Sequence, residues 1–252
     1  MIECLKWFYF NTYFINDCNI SSILLISSNR LNYFYRSFFT CKTSVERIGP
    51  HNIDIISIYI GSLLGDGHLE KRKQGLGTRI KFEQSSKNVE YLMWFHSYLS
   101  QRGYCNTNKP KLKTIIRKNG VIYYHYTINS FTFSSLNWIH DMFYKEIEGK
   151  YIKIIPLNIE QFLSPMTLAL WFMDDGSKLG KGAKIATNCF TKTELEKLCK
   201  ILKNKFNITV TVHSGGINKG YTLYIPSSSM STFSKIIKPY MLPSLYYKLG
   251  NY

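Results

Sequence analysis

Alanine is nearly missing from this chain: its 252 residues contain three, Ala169, Ala183 and Ala186. Alanine codons are G/C-rich, whereas the abundant Tyr, Phe, Ile, Asn and Lys have A/T-rich codons. The gene is therefore expected to be A/T-rich, as organelle genomes often are. Acidic residues are also scarce. There are 16 Asp+Glu against 32 Lys+Arg, a formal charge of +16. A globular chain that basic repels itself unless a polyanion neutralises it, so nucleic acid is the leading partner and an anionic membrane surface the rival. No run reaches the roughly 18 apolar residues of a membrane span, and no membrane partner is expected. The six cysteines (Cys4, Cys18, Cys41, Cys105, Cys189, Cys199) include no C-x-x-C pair, and the six histidines offer no matching zinc spacing. That excludes a zinc-ligand nuclease and points to reduced, mostly buried thiols. Global disorder is excluded too, because 45% of residues are hydrophobic and 19% charged.

Residues 1–50 read as an N-terminal extension. Trp7–Phe10 and Ile23–Ile26 are apolar but interrupted by Asn16, Asp17, Asn19 and Arg30. Glu3 and Asp17 spoil a transit peptide, and no chemistry is assigned here. From residue 53 a regular pattern appears and occurs twice. Ile53–Leu64 is an apolar, helix-length run ending in Gly65-Asp66-Gly67. Strand alternation at Arg79–Glu83 follows, then an amphipathic helix over Asn88–Leu99. Leu112–Arg117 and Val121–Ile128 flank the hairpin signal Asn119-Gly120. Ser134–Glu146 reads as a closing helix.

In the second unit Ser164 and Pro165 open a helix as N-cap and first residue. It runs to Asp174-Asp175-Gly176. A strand at Lys184–Cys189, a helix at Thr193–Phe206 capped by Thr193, strands at Asn207–His213 and Tyr221–Ile225, and a helix at Ser228–Lys238 complete it. Each unit thus reads helix, strand, helix, strand, strand, helix. That is an internal duplication, with units at 51–152 and 153–252. Two fused copies predict a monomer acting on a long asymmetric site.

The glycines at the two helix ends are ordinary residues for that place. The aspartates are not. A helix C-terminus carries partial negative charge, which disfavours a carboxylate there by about 0.3–1 kcal/mol. Two such helices packed through their apolar faces bring Asp66 and Asp175 together, and a cation between them removes the conflict. Hard oxygen ligands suit Mg²⁺ or Mn²⁺, and the backbone carbonyls just before each aspartate, those of Gly65 and Asp174, can add to the set. A metal between an activated water and a phosphate oxygen is an arrangement for phosphodiester hydrolysis.

Tyr59–Gly67 and Leu168–Gly176 resemble the paired signatures of single-chain LAGLIDADG homing endonucleases, a resemblance that runs from about residue 53 to the C-terminus. Arg79–Ser86, Lys153–Pro156, Leu163–Met166, Lys238–Pro243 and Tyr247–Leu249 also resemble segments of intron-encoded members. The resemblance implies an α+β fold of two pseudo-symmetric repeats, with saddle-shaped antiparallel sheets on a central two-helix interface. It also implies metal-binding Asp66 and Asp175, basic residues Lys153 and Lys248 beside the scissile phosphates, double-stranded DNA as substrate, and an organellar location, mitochondrion or alternatively chloroplast. The family's close-packing glycine is present as Gly61 but becomes Leu170 in the second helix. Leu64 and Met173 replace the first acidic residue of the motif, which is not the metal ligand.

Strand alternation places Arg79, Lys81 and Glu83 on the face opposite Ile80 and Phe82, which face the core, and the resemblance implies that this outer face meets DNA. Thr209, Thr211 and His213 would lie opposite Ile208, Val210 and Val212. Lys113, Arg117, Lys184 and Asn188 occupy comparable strand positions, where Arg, Lys and Asn can read base edges. Lys71, Arg72 and Lys73 suit phosphates. Tyr59-Ile60-Gly61 does not make a GIY-YIG nuclease, since it lies within the helical run and has no partner motif upstream. The alternatives are an intron-encoded RNA maturase that binds its host intron, and a non-cleaving DNA-binding module, which would predict loss of an acidic residue.

Overall fold

The structure, a computed structural model, is described here over residues 43–47, 49–71, 76–116, 120–217 and 219–252. Most of the expected N-terminal extension lies outside these residues, as do Arg72, Lys73 and Arg117. Within the described chain the duplication is explicit. The first repeat runs α1 (Ile53–Leu64), β1 (His68–Lys71), β2 (Thr78–Ser85), α2 (Val89–Gln101), β3 (Lys113–Ile116), β4 (Ile122–Asn129) and α3 (Asn137–Phe143). A hairpin of β5 (Tyr144–Ile147) and β6 (Lys150–Lys153) follows. The second repeat is α4 (Pro165–Asp175), β7 (Gly176–Leu179), β8 (Gly182–Ala186), α5 (Lys192–Phe206), β9 (Thr211–Ser214), β10 (Tyr221–Ile225) and α6 (Ser227–Ile237). The two four-stranded sheets are antiparallel and share one order, β1-β2-β4-β3 and β7-β8-β10-β9. The α+β reading with two like repeats therefore holds.

Each repeat nevertheless has one more strand than expected. β1 and β7 have four residues each, too short for alternation to show, and they pair directly behind the aspartates. A two-residue turn led by Gly180 at φ 58° joins β7 to β8, a conformation that glycine adopts without steric cost. Four further boundaries move. The expected helix over Ser134–Glu146 is a 3₁₀ turn (Ser134–Leu136) and the seven-residue α3. It stops because Glu148 and Gly149, both at positive φ, fold the following chain into the β5–β6 hairpin. The strand expected at Lys184–Cys189 ends at Ala186. The cap of α5 is Thr191, not Thr193: Thr191 Oγ1 accepts from the Glu194 amide while the Glu194 carboxylate accepts from the Thr191 amide. Residues 207–210 precede β9 rather than belonging to it, because Asn207 turns the end of α5 at φ 56°.

The centre of the fold is the packing of α1 on α4. Every residue from Ile55 to Leu64 and from Met166 to Met173 is buried, so these largely apolar helices are enclosed on all sides rather than along a stripe. Ser164 caps α4 through the Thr167 amide and also donates to Ser57 Oγ at 2.9 Å, tying the start of one helix to the other. The contact is asymmetric in residue size. A Cβ on Gly61 would come within 2.8 Å of both Leu170 Cβ and Thr167 O. The leucine that replaces glycine in the second motif therefore sits over the glycine retained in the first. Flanking cores close each half: Phe82 stacks on Phe95 in the first, and Phe172 meets Phe233 edge-on in the second. Ser44 and Arg47 tie the chain before α1 to the first repeat: Ser44 O accepts from the Ser134 amide, and Arg47 donates to Thr132 O. Among the described residues no helix is long and apolar enough to cross a membrane.

Gly61→Ala places its new atom against Cβ and backbone atoms that cannot swing aside. The expected cost is about 1–3 kcal/mol, an overpacking penalty. In a chain of this size that is a fall of several degrees in melting temperature. Leu170→Ala is expected not to rescue it, because the clash is with the Cβ and a carbonyl; thermal unfolding of the two single variants and the double variant measures this.

Candidate functional site

α1 and α4 end side by side, and each hands its chain directly to the first strand of its sheet. Asp66 and Asp175 stand at those two ends. Asp66 is exposed and Asp175 half-buried. Burial first, and the Asp66 charge second, push the Asp175 carboxyl up to about 7, while Lys153 and Lys248 pull it the other way. The two carboxylates thus share one electrostatic site, as the packing argument required.

The residue before each aspartate differs between the halves, and the two fit each other. Gly65 has no side chain, and Asp174 fills the space: a Cβ on Gly65 would lie 2.6 Å from the Cβ and Oδ2 of Asp174. Asp174 Oδ2 accepts from the Asp66 backbone amide at 3.3 Å, so a side chain of the second motif caps the end of the first. Its Oδ1 is shut off from solvent beside the equally buried Tyr91 hydroxyl. Burial, then the Asp66 charge, holds this carboxyl well above the usual carboxylate range.

The glycines after the aspartates are not there for a left-handed turn. Gly176 sits at φ −78°, and a Cβ on it would lie 2.4 Å from Phe172 O and inside the Phe172 ring. Clearance, rather than conformational freedom, demands glycine there.

Lys153 and Lys248 reach the same place from opposite sides. Lys153 Nζ donates to Gly67 O at 2.8 Å and Gly65 O at 3.3 Å; Lys248 Nζ donates to Met173 O and, at 3.3 Å, to Asp174 O. Each ammonium thereby neutralises the negative end of one motif helix. Burial lowers the pKa of both lysines, and the surrounding carboxylates oppose that shift. All four residues expected at the centre converge, together with the Gly65 and Asp174 carbonyls.

Gln84 was missed by the sequence reading. On β2 it points inward beneath the Lys81/Glu83 face and donates through Nε2 to Asp66 Oδ2, and its Oε1 accepts from Asn88. Its alternation signal was legible, since Gln84 is a polar residue on the Ile80/Phe82 face, where solvation does not explain it. The register puts Thr187 at the matching place in the second repeat; its hydroxyl donates to Tyr221 O instead. Asp175 therefore has no counterpart to the Gln84 contact. Cys189 lies close enough to Lys153 and Asp175 to interact with both, and it is exposed, contrary to the expectation of mostly buried thiols.

The sheet faces carry most of the expected base-reading set. Arg79, Lys81 and Glu83 lie opposite Ile80, Phe82 and Gln84. Cross-strand register continues that face through Thr127, His125 and Lys113. It is pre-ordered by ion pairs of Arg79 with Glu70 and of Lys81 with Glu83, and His125 Nε2 lies 3.5 Å from the same Glu83 carboxylate. In the second sheet Ser177, Lys184, Tyr224 and Thr211 form one row, with His213 beside Thr222. His213 Nε2 lies 2.8 Å from Thr211 Oγ1. Two expected members do not belong. Asn188 lies beyond the end of β8, because the chain turns at Thr187–Phe190. Thr209 lies before β9, held through its amide to Ser229 Oγ, and lines a groove with Lys200 and Lys203.

Comparison with known proteins agrees with this geometry. The model of the "LAGLIDADG DNA endonuclease family" matches residues 56–233. The "Cytochrome b mRNA maturase bI2" of Saccharomyces cerevisiae is 45% identical over 228 residues, which are 89% of this chain and 54% of that protein. The chain thus spans about half the length of that relative. The "Intron-encoded endonuclease ai4" of Dictyostelium discoideum is 37% identical over 62% of this chain and 98% of its own length. Among solved structures, the homing endonuclease I-WcaI bound to its DNA recognition sequence superposes with a TM-score of 0.70 at 24% identity, covering 90% of this chain and 95% of that one. Duplicated fold, paired acidic helix ends and sequence relationship lead to one assignment: this chain belongs to the LAGLIDADG DNA endonuclease family.

Proposed function

We propose that the chain is a site-specific homing endonuclease, encoded within an intron, that hydrolyses both strands of a long asymmetric DNA target with the aid of a divalent cation, Mg²⁺ or Mn²⁺. The observation that carries this reading is the convergence of Asp66 and Asp175 at the paired ends of α1 and α4, with a lysine on either side. Among the described residues no three His, Cys, Asp or Glu side chains form a ready-made metal cage. Two carboxylates and the Gly65 and Asp174 carbonyls are a sparse, hard-oxygen set. That suits Mg²⁺, which keeps waters and takes substrate phosphate oxygens as its remaining ligands. Each carbonyl has a second lone pair beyond the one its lysine engages. Bound there, a divalent ion would polarise the phosphate and acidify an attacking water.

The chain's own groups do the rest. Gln84 fixes the orientation of the Asp66 carboxylate. Lys153 and Lys248 hold their ammonium groups at the helix ends, where they can donate to a phosphate oxygen as negative charge builds on it. Arg79, Lys81, Glu83, Lys113, Lys184, Thr211 and His213 present donors and acceptors to base edges and phosphates. Both halves of the site come from one chain, so a monomer suffices, and the differing side chains of the two sheets suit a target without two-fold symmetry.

A second role in splicing host-intron RNA on the same scaffold is supported by the relative named a cytochrome b mRNA maturase. That name, with the alanine-poor composition, favours a mitochondrial origin.

DNA spanning the uninterrupted insertion site should be cut on both strands in Mg²⁺ and left intact in EDTA. Asp66→Asn and Asp175→Asn are each expected to slow cleavage by about 10³-fold or more, the loss of roughly 4 kcal/mol of transition-state stabilisation. Binding of the same DNA should change only a few-fold; uncut DNA with the parent protein would overturn the nuclease reading.

The raised Asp175 pKa has a thermodynamic counterpart. In the metal-free protein the folded state holds this proton more tightly than the unfolded state, so the group's contribution to stability falls as pH rises from the normal carboxylate range to about 7. Measured against Asp175→Asn in EDTA, the parent is expected to lose melting temperature between pH 5 and pH 8. Added Mg²⁺ should restore it at pH 8 and have little effect at pH 5.

A further inference from the structure

α5 and α2 occupy the same place in the two repeats, each packing an apolar stripe on its own sheet: Leu195, Leu198 and Leu202 in one, Tyr91, Leu92, Phe95 and Leu99 in the other. Their structural task is the same, yet their outer faces differ in charge. α2 has no lysine or arginine over Val89–Gln101. α5 has Lys192, Lys197, Lys200, Lys203 and Lys205, all exposed. Its acids are occupied elsewhere: Glu194 closes the capping box and accepts from the Ile155 amide, and Glu196 pairs with Lys192 at 3.7 Å. Among the described residues no carboxylate pairs with Lys197, Lys200, Lys203 or Lys205. Holding a helix against a sheet does not require these charges, as α2 shows.

The lysine face is distinct from the face that carries Lys184, Thr211 and His213. The leucines of α5 point into the core beneath the second sheet, so Lys197, Lys200 and Lys203, on other faces of the helix, point away from it. Beside them Lys200, Lys203, Asn204, Thr209, Cys199 and Val210 line a groove of about 450 Å³. Its two ammonium groups, amide and hydroxyl offer ion pairing to phosphate and hydrogen bonds to a ribose hydroxyl.

We propose that the outer face of α5, with the groove between Lys200, Lys203 and Thr209, is a second nucleic-acid surface that binds folded RNA independently of the DNA-facing sheets. The inference rests on the reading of a splicing role and assigns that role a location. DNA duplex is stiff, with a persistence length of about 150 bp, and a duplex lying on the sheets does not turn round the protein to reach α5 without strong bending. A compact RNA of several helices can present phosphates there while the sheets remain free.

The test uses the whole chain, a transcript of the intron that carries the reading frame, a non-cognate folded RNA of equal length, and the DNA target. Lys197→Glu/Lys200→Glu/Lys203→Glu is expected to weaken binding of the intron transcript at least ten-fold and to lower the log–log salt slope by about 2, as lost phosphate contacts do. Cleavage of the DNA target should stay within two-fold of the parent, which also reports that the variant is folded. The triple Lys→Arg variant should retain RNA affinity, and the protein already bound to DNA in Ca²⁺ should still take up the transcript. Undiminished RNA binding by the Lys→Glu variant, displacement of RNA by DNA, or impaired DNA cleavage would each overturn the assignment to α5. Failure of the parent to prefer the intron transcript over the non-cognate RNA would instead remove the splicing role on which it stands.

Discussion

The structure depends on one contact that is favourable in its apolar part and unfavourable in its polar part. α1 and α4 pack along their length because their central turns, Ile55–Leu64 and Met166–Met173, are mostly apolar and wholly buried. That packing forces the negative ends of two helix dipoles, and a carboxylate on each, into one small region. The rest of the site answers this conflict. Two lysines are drawn out of solvent to the exposed carbonyls, and a glutamine steadies one carboxylate. The other carboxylate, Asp175, holds its proton up to about neutral pH. Hydrophobic packing thus gathers charge at the helix ends that the chain's own side chains must offset.

Much of this was legible in the sequence, and the reasons can be stated for particular residues. The motif helices were plain because their apolar runs are long and end in a charge that local structure does not explain. Ser164 with Pro165 fixed the start of α4 by a capping chemistry that needs no tertiary context. β1 and β7 were invisible because four residues are too few for alternation to register, and because pairing partners, not propensity, make them strands. The sequence pattern points to Thr193 as the cap of α5, but the cap is Thr191, because the reciprocal hydrogen bonds with Glu194 that identify it are not visible in a spacing of apolar residues. Asn188 and Thr209 were assigned by extending alternation past the point where the backbone stops being extended.

What no pattern could show is how the halves differ. Gln84 and Thr187 occupy matching positions, yet one reaches Asp66 and the other bonds a backbone carbonyl. A duplicated sequence invites the assumption of a duplicated site. The actual site has one carboxylate exposed and held by an amide side chain, and the other half-buried and flanked by two lysines.

The complementary pairs at the seam, Leu170 over Gly61 and Asp174 over Gly65, bear on how such a molecule could have arisen and how it can be re-engineered. If the first repeat met a copy of itself, glycine would face glycine at both levels and leave voids. If the second did so, two leucines and two inward-pointing carboxyls would compete for the same volumes. The halves have thus become a lock and its key. Neither can stand in for the other, and a chimera that takes a repeat from a relative inherits a working seam only when these four positions travel together.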